Sequence, residues 1–289
     1  MTSQRSKGEL ILKINGIELC AQAFGDPGAP ALLLIGGAEA SMDWWDDDFC
    51  ERLASGGRHV IRYDTRDTGR STTFPPGKPP YGLDALLADA VGLLDQLGIA
   101  AAHVVGVSMG GDIAQYLAVY HPDRVASLTL IATSPGGPGL PAMSQELAEK
   151  FASGSDDAPD WSDREGVIAY YTAGERTFAG TIPVDEEWVR RIVGRAWDRS
   201  PAMASAQNHW QLDGGKSVRD RLGEITAPTL VLHGTADPLL PYGHGETLAR
   251  EIPGARLVPL KGMGHGMPPL ELWDIVIAEI LSISEEGRP

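Results

Sequence analysis

The sequence has few cysteines, few basic side chains and no long hydrophobic run. Its 289 residues include two cysteines, Cys20 and Cys50. They do not form a Cys-x-x-Cys motif, which argues against both a disulfide framework and a zinc site. No apolar stretch is long enough to span a bilayer, and no apolar segment follows the basic residues near the N-terminus. We therefore expect no metal, no membrane partner and, by default, a cytoplasmic location.

Basic residues are outnumbered by acidic ones. The 24 Lys and Arg residues face 39 Asp and Glu residues, which gives a formal net charge of −15 at pH 7. A surface of this sign repels nucleic acids and anionic membranes, so we exclude both as main partners. It also favours a cationic substrate through long-range attraction. Hydrophobic residues make up 43% of the chain, enough for a sizeable core.

The first half of the chain alternates short apolar runs with segments of helical periodicity. This pattern is typical of βαβ units on a mostly parallel sheet. Buried strands are predicted at residues 31–35, 59–63, 102–107 and 125–132, and helices at 83–97 and 109–120. Ahead of them, Asn15 and Gly16 separate two apolar runs and predict the turn of a β-hairpin.

The pattern changes after residue 134. Residues 135–141 are rich in Pro and Gly and predict a linker. Helix-like segments follow at 143–151, 164–171 and 185–197. The strand-and-helix pattern resumes at 229–233 and 256–260, with a closing helix around 270–281. We predict a discontinuous core domain, residues 1–134 and 222–289, and an inserted helical cap, residues 135–221.

Aromatic residues are concentrated in the predicted cap. They include Trp161, Tyr170, Tyr171, Phe178, Trp188, Trp197 and Trp210. We expect these side chains to line an apolar pocket for a flat, multi-ring group. The alternative is that they form only the small core of the cap.

Residues 106–110 read Gly-Val-Ser-Met-Gly and match the G-x-S-x-G pattern of a nucleophile elbow. The motif follows a strand-like run and opens a helix-like run, as that turn requires. Small flanking residues are needed because the serine of such a turn sits in a strained conformation. Its Oγ is then held above a helix N-terminus that favours negative charge. We predict that Ser108 is a nucleophile; the alternative is a tight strand–helix turn without chemistry.

A serine nucleophile needs a base that accepts its proton and an acid that orients the base. In this architecture they follow in the order Ser, Asp or Glu, His. Asp237 comes just after the predicted strand 229–233, and His265 comes after 256–260 in a glycine-rich loop. We predict His265 as the base and Asp237 as the orienting acid, against the alternatives of an ordinary loop histidine and a turn aspartate. His233, inside the strand run, is predicted to be structural.

The negative charge that develops on the attacked carbonyl oxygen needs an oxyanion hole, normally two backbone N–H groups. One is expected from Met109, the residue after the nucleophile. The other is expected from the loop after the third strand, which reads Gly-Gly-Ala-Glu at 36–39. We assign this second N–H group to Ala38, with Gly37 as the alternative donor.

An acidic stretch at residues 43–48 reads Asp-Trp-Trp-Asp-Asp-Asp. We interpret it as a solvated helix start, whose acids complement the helix dipole and whose tryptophans help to wall the pocket. A calcium loop is the alternative.

Together these motifs resemble the α/β-hydrolase superfamily. Residues 64–71 resemble its D-x-R-G-x-G-x-S segment, with Asp67 in place of the first glycine, and 231–237 and 262–265 resemble its acid and histidine loops. The resemblance runs from about residue 30 to 270. It implies an α/β-hydrolase fold, with a mostly parallel central sheet flanked by helices and an inserted helical cap. A departure is the oxyanion loop, where Ile35 and Gly36 precede Gly37 without the commoner histidine.

Within the superfamily, the elbow, the Gly-Gly oxyanion loop and residues 66–73 resemble the aclacinomycin methylesterase family. This resemblance implies a serine carboxylesterase that hydrolyses the methyl ester of a bulky aromatic polyketide. Its partners would be that small-molecule ester and water.

Several alternatives remain open on the same catalytic residues. They are a general carboxylesterase or lactonase, a perhydrolase, a C–C bond hydrolase and, least favoured, a binding protein without catalysis. Superfamily members with an Asp nucleophile are excluded by Ser108. The absence of a G-x-G-x-x-G motif and of metal-binding spacings predicts no cofactor and no metal.

Overall fold

A computed structural model describes residues 8–154, 158–213, 215 and 217–286. Within these residues, one eight-stranded sheet has the order β1-β2-β4-β3-β5-β6-β7-β8. The strands are β1 Glu9–Ile14, β2 Ile17–Phe24, β3 Ala31–Ile35, β4 His59–Tyr63, β5 Ala102–Val107, β6 Val125–Ile131, β7 Thr229–Gly234 and β8 Arg256–Leu260. β1 and β2 pair in antiparallel fashion, as do β2 and β4, and the remaining pairs are parallel. The sheet predicted from the sequence is thus confirmed.

The predicted hairpin joins β1 to β2. Asn15 and Gly16 both have positive φ angles, 50° and 81°. A two-residue hairpin turn needs this conformation, which Asn and Gly adopt at little cost.

Most α-helices of the described residues lie close to the predicted positions. The helices are α1 Asp47–Ser55, α2 Leu83–Gln96, α3 Met109–Tyr120, α4 Gln145–Ser153, α5 Arg164–Phe178, α6 Glu186–Arg199, α7 Gly243–Glu251 and α8 Trp273–Glu286. α7 is additional to the predicted ones. α5 extends beyond the predicted 164–171 and ends at Phe178. Among these helices, none combines the length and apolar composition needed to cross a bilayer.

The two faces of the sheet carry separate cores. Along β3, Leu33 packs in the cluster that includes α2 and α3, whereas Leu32 and Leu34 pack in the cluster that includes α1 and α8. Side chains of a strand alternate between faces, and both faces are covered here. This is why β3 reads as an uninterrupted apolar run.

Helices α4, α5 and α6 lie between β6 and β7 in the chain, within the segment predicted as a cap. α5 and α6 pack against each other through Val167, Ile168, Val189 and Ile192. Trp44, from the segment after β3, joins the same cluster. The division of the chain into a core domain, 1–134 and 222–289, and a cap, 135–221, stays a prediction.

The interpretation of residues 43–48 as a solvated helix start is right about the helix start and its acidic first turn, and wrong about the solvation of Asp43 and Asp46. Asp46 does cap α1 by accepting a hydrogen bond from the N–H of Asp48, at 2.9 Å. However, Asp43 and Asp46 are 1% and 6% exposed, because arginines of α6 cover them. Arg195 lies 2.7 Å from Asp43 and Arg191 lies 2.9 Å from Asp46. The acids therefore fasten α6 to the segment after β3.

Candidate active site

The residue predicted as nucleophile lies in a sharp turn between β5 and α3. Ser108 has φ 51° and ψ −119°, a conformation that non-glycine residues rarely adopt. The flanking glycines are required by close backbone approach. A Cβ at Gly106 would lie 2.2 Å from the carbonyl oxygen of Gly110, and one at Gly110 would lie 2.4 Å from that of Ile35. The turn holds the Ser108 Oγ at the carboxyl end of the parallel strands.

The three residues predicted as a triad lie in one hydrogen-bonded chain. His265, in the loop after β8, places Nε2 3.0 Å from the Ser108 Oγ. Its Nδ1 lies 2.9 Å from Oδ2 of Asp237, in the loop after β7. The loop is held in place by the backbone N–H of His265, which donates to the carbonyl of Phe178 at 2.9 Å. The ends of three parallel strands thus bring together residues that are far apart in the sequence.

Asp237 is fixed in orientation by backbone donors. Its Oδ1 accepts hydrogen bonds from the N–H groups of Leu239 and Leu240, at 2.9 and 2.8 Å. Oδ2 is left for His265. His233 lies nearby and donates through Nε2 to the carbonyl of Leu240 at 2.7 Å, and burial lowers its pKa. His233 therefore stays neutral and supports the loop that carries Asp237.

The loop after β3 lies beside the nucleophile. Gly37 and Ala38 line the same cavity as Ser108 and His265. The Cα of Gly37 faces Ser108 so closely that an added Cβ would lie 3.5 Å from the serine Cβ. Met109 is the first residue of α3. The residues predicted as oxyanion donors, Ala38 and Met109, and the alternative Gly37 are therefore all neighbours of Ser108.

A cavity of about 520 Å³ opens above Ser108, a size typical of sites for drug-sized ligands. Its aromatic walls are Trp44, Phe151, Tyr170, Tyr171, Phe178 and Trp210. Four of the seven aromatic residues predicted to line a pocket are among them. The other three pack elsewhere: Trp197 donates to the carbonyl of Trp161, and Trp188 packs edge-on against Trp44. Of the two tryptophans at 44 and 45, the first walls the cavity and the second is buried in the core.

Glu39 connects the loop after β3 to the segment predicted as a cap, a role that the sequence did not reveal. Its carboxylate accepts hydrogen bonds from the hydroxyl of Tyr171 at 2.8 Å, from Nε2 of Gln207 at 2.6 Å and from the indole N–H of Trp210. Its backbone N–H donates to Nδ1 of His209 at 2.9 Å. Burial raises the pKa of Glu39, and the three donors oppose that rise. The network fixes the loop that carries Ala38.

Asp67, which departs from the superfamily pattern, has a left-handed backbone conformation, with φ 68°, a region that favours glycine. Its carboxylate accepts hydrogen bonds from the hydroxyl of Tyr81 at 2.5 Å and from Nδ2 of Asn208 at 2.9 Å. The side chain thus gains contacts that offset the strained backbone. Among the described residues, no cluster of His, Cys, Asp and Glu is arranged to hold a metal ion.

Comparisons with protein families, with individual proteins and with solved structures all find similarity to hydrolases. The model of the alpha/beta hydrolase fold family matches residues 30–269. Two rhodomycin D methylesterases, from Streptomyces sp. and Streptomyces peucetius, are each 34% identical over 270 residues, which cover 87% of this chain and 90% of the relative. A bifunctional esterase/perhydrolase of Acinetobacter calcoaceticus is 28% identical over 89% of this chain and 92% of its own length. Among solved structures, an enol-lactonase from Burkholderia xenovorans is 26% identical, with a TM-score of 0.72 over 95% of this chain and 99% of that one.

Proposed function

The chain belongs to the α/β-hydrolase fold family and is an esterase on that scaffold, and we propose that it uses Ser108 to hydrolyse the methyl ester of a bulky aromatic polyketide. The observation that carries the proposal is the hydrogen-bonded chain from Ser108 through His265 to Asp237 at the floor of an aromatic-walled cavity. The proposed reaction needs an ester and water, and no cofactor or metal.

In the proposed mechanism, His265 Nε2 takes the proton of the Ser108 hydroxyl as Oγ attacks the ester carbonyl. Asp237 accepts the hydrogen bond of Nδ1–H, which fixes the tautomer and stabilises the imidazolium. The N–H groups of Ala38 and Met109 donate to the oxyanion of the tetrahedral intermediate. The intermediate collapses with cleavage of the ester C–O bond, and His265 returns the proton to the departing methoxide, which leaves as methanol.

The second half of the reaction uses the same groups. His265 removes a proton from a water molecule, whose oxygen attacks the acyl-enzyme carbonyl. Ser108 leaves with the proton from His265, and the carboxylic acid is released. The imidazole of His265 therefore acts as the base in both steps, toward the serine in the first and toward the incoming water in the second.

The substrate class is supported by the relatives and by the cavity. Two relatives that align with most of this chain are named for a methylesterase activity on rhodomycin D. The cavity has the volume for a multi-ring group and six aromatic side chains in its wall, and aromatic rings stack favourably on other rings. An anthracycline-like acyl group agrees both with the activity named for these relatives and with the volume and aromatic lining of the cavity.

A general carboxylesterase or lactonase is the second candidate. The esterase/perhydrolase and the enol-lactonase to which the chain is similar favour it. These activities share the same proposed triad and differ in the acyl group that the cavity accepts.

Mass spectrometry of reaction products separates these candidates. The panel contains an anthracycline methyl ester, p-nitrophenyl acetate and butyrate, and a lactone, each incubated with the unmodified protein, with Ser108→Ala and with Ser55→Ala, an exposed serine of α1. We expect the anthracycline product to lose the mass of one methylene group, or of methylene plus carbon dioxide if the freed acid decarboxylates. Ser108→Ala should lower kcat by roughly 10⁶-fold, and Ser55→Ala should not. Turnover of only the small esters or the lactone would replace the polyketide proposal, and full activity of Ser108→Ala would refute the nucleophile.

A further inference from the structure

One carboxyl group in the wall of the cavity has no partner among the described residues. Glu175 lies on α5, one turn after Tyr171 and one turn before Phe178, and all three side chains line the cavity. Residues spaced in this way share one face of a helix. No described residue donates a hydrogen bond to Glu175, and no described Lys or Arg forms an ion pair with it. The accessible part of its side chain faces the cavity.

The other Glu and Lys side chains that line the cavity, unlike Glu175, have hydrogen-bond partners within the protein. Glu39 accepts its three hydrogen bonds from the surrounding protein. Lys150 donates to the hydroxyl of Thr177 at 2.5 Å. Burial alone raises the pKa of Glu175 to about 7, with no opposing contribution from a cation or a donor.

The surroundings of Glu175 are mostly apolar, with Asp185 and His265 as the polar side chains in the lining of the adjoining pocket. Glu175 borders this smaller pocket of about 60 Å³, whose lining includes Trp188, Val189 and Met267. Placing an unpaired carboxylate among such groups is costly. A ligand that supplied a counter-charge at this point would offset that cost, so the position of Glu175 favours a cationic group.

We propose that Glu175 binds a protonated amine of the substrate, so that the cavity selects esters whose acyl part carries an ammonium group. The inference rests on the proposed esterase function and adds a specificity-determining residue to it. Aromatic faces attract cations, and Tyr171 and Phe178 flank Glu175 on the same helix face. The net charge of −15 attracts a cationic substrate toward the protein over longer distances.

The test compares two methyl esters of the same tricyclic aromatic acid. One carries a dimethylammoniomethyl substituent, and the other carries the neutral isobutyl group of the same shape. The kcat/KM for both is measured at pH 8, above the raised pKa of Glu175. The proteins compared are the unmodified protein, Glu175→Gln, Glu175→Asp and Glu187→Gln. Glu187 is an exposed residue of α6, so its variant controls for the loss of one negative charge.

We expect the unmodified protein to prefer the ammonium ester by about tenfold, the effect of one favourable charge pair in a partly desolvated site. Glu175→Gln should lose this preference, Glu175→Asp should keep part of it, and Glu187→Gln should keep all of it. A preference that survives in Glu175→Gln, or an equal loss of both esters in that variant, would overturn the inference and leave the esterase proposal standing. If the unmodified protein hydrolyses neither of these esters and also no ester of the product panel, the esterase proposal itself is refuted.

Discussion

Arg199, at the C-terminal end of α6, forms an ion pair with Asp64, just after β4, with Nη2 2.7 Å from Oδ2. The same guanidinium also pairs with Asp43 and with Glu9, the latter at 2.7 Å. Asp64 is fully buried; burial raises its pKa, and Arg199 opposes that rise. One arginine thus bridges three carboxylates from three separate parts of the chain and connects α6 to the sheet.

Removal of Arg199 should therefore be strongly destabilising. Arg199→Met leaves three acidic groups without their shared cation, and the loss of one partner from a buried ion pair costs about 3–5 kcal/mol. The control is Arg190→Met, because Arg190 and its partner Glu165 are 57% and 56% exposed; this change should cost less than about 1 kcal/mol. Urea unfolding measures both. Equal and small losses in the two variants would show that the network around Arg199 does not stabilise the fold.

Asp237→Asn tests the role of the acid. The amide can turn its NH₂ toward Nδ1 of His265, which then presents the wrong tautomer to Ser108. We expect kcat to fall by about 10⁴-fold, with an unchanged circular dichroism spectrum. Asp26→Asn, a change at an exposed turn residue, is the matched control and should leave kcat unaffected. A loss of tenfold or less in Asp237→Asn would contradict the proposed orientation role.

The position of His265 could be predicted from its glycine-rich loop and its place after Asp237 in the chain, since the strand before it, β8, is only partly buried. The positions of Ser108 and Asp237 could be predicted because each follows a strand, β5 or β7, that is buried along its whole length. Such strands read as continuous apolar runs, and the residues after them meet at one edge of a parallel sheet. The glycines at 106 and 110 added a local signal, since only glycine permits the backbone approach found there.

The burial of Asp43 could not be predicted in the same way. Its partners, Arg195 and Arg199, lie about 150 residues further along the chain, and an acidic residue before a helix looks like an exposed one. The predicted helix 164–171 ended too early, since α5 continues to Phe178, and the reason is related. Glu175 interrupts the apolar periodicity because its side chain faces an open cavity instead of a packed core.

The turn at the nucleophile gives a prediction about packing. An alanine Cβ at Gly110 would lie 2.4 Å from the carbonyl oxygen of Ile35 and 2.5 Å from that of Gly36. Backbone atoms of the sheet cannot easily yield, so Gly110→Ala should cost about 1–3 kcal/mol or more and lower activity. Gly174→Ala is the control, because a Cβ there meets nothing within 4 Å, and alanine in a helix should stabilise it by about 0.5–1 kcal/mol. Thermal unfolding checks both, and equal stability of the two variants would contradict the argument.

Asp112 lies in the first turn of α3, directly behind the nucleophile turn. Its Oδ1 accepts a hydrogen bond from the hydroxyl of Thr133 at 3.1 Å. Burial raises the pKa of Asp112 to about 7, and the hydrogen bond from Thr133 opposes that rise only in part. The folded protein therefore holds a proton at Asp112 that the unfolded chain, with an aspartate pKa near about 3.9, releases at lower pH.

This difference makes stability fall as pH rises. Between about pH 4 and pH 7 the folded state binds more protons at Asp112 than the unfolded state, so its contribution to the free energy of unfolding decreases through that window. Asp112→Asn does not titrate and should lack this decrease. The stability of Asp112→Asn relative to the unmodified protein should therefore improve between pH 5 and pH 8, by at most about 3 kcal/mol. The favourable dipole at the helix N-terminus reduces the effect. Urea unfolding at both pH values measures it, with the exposed Asp123→Asn as control. A difference between Asp112→Asn and the unmodified protein that is the same at both pH values would show that Asp112 is already ionised in the folded state.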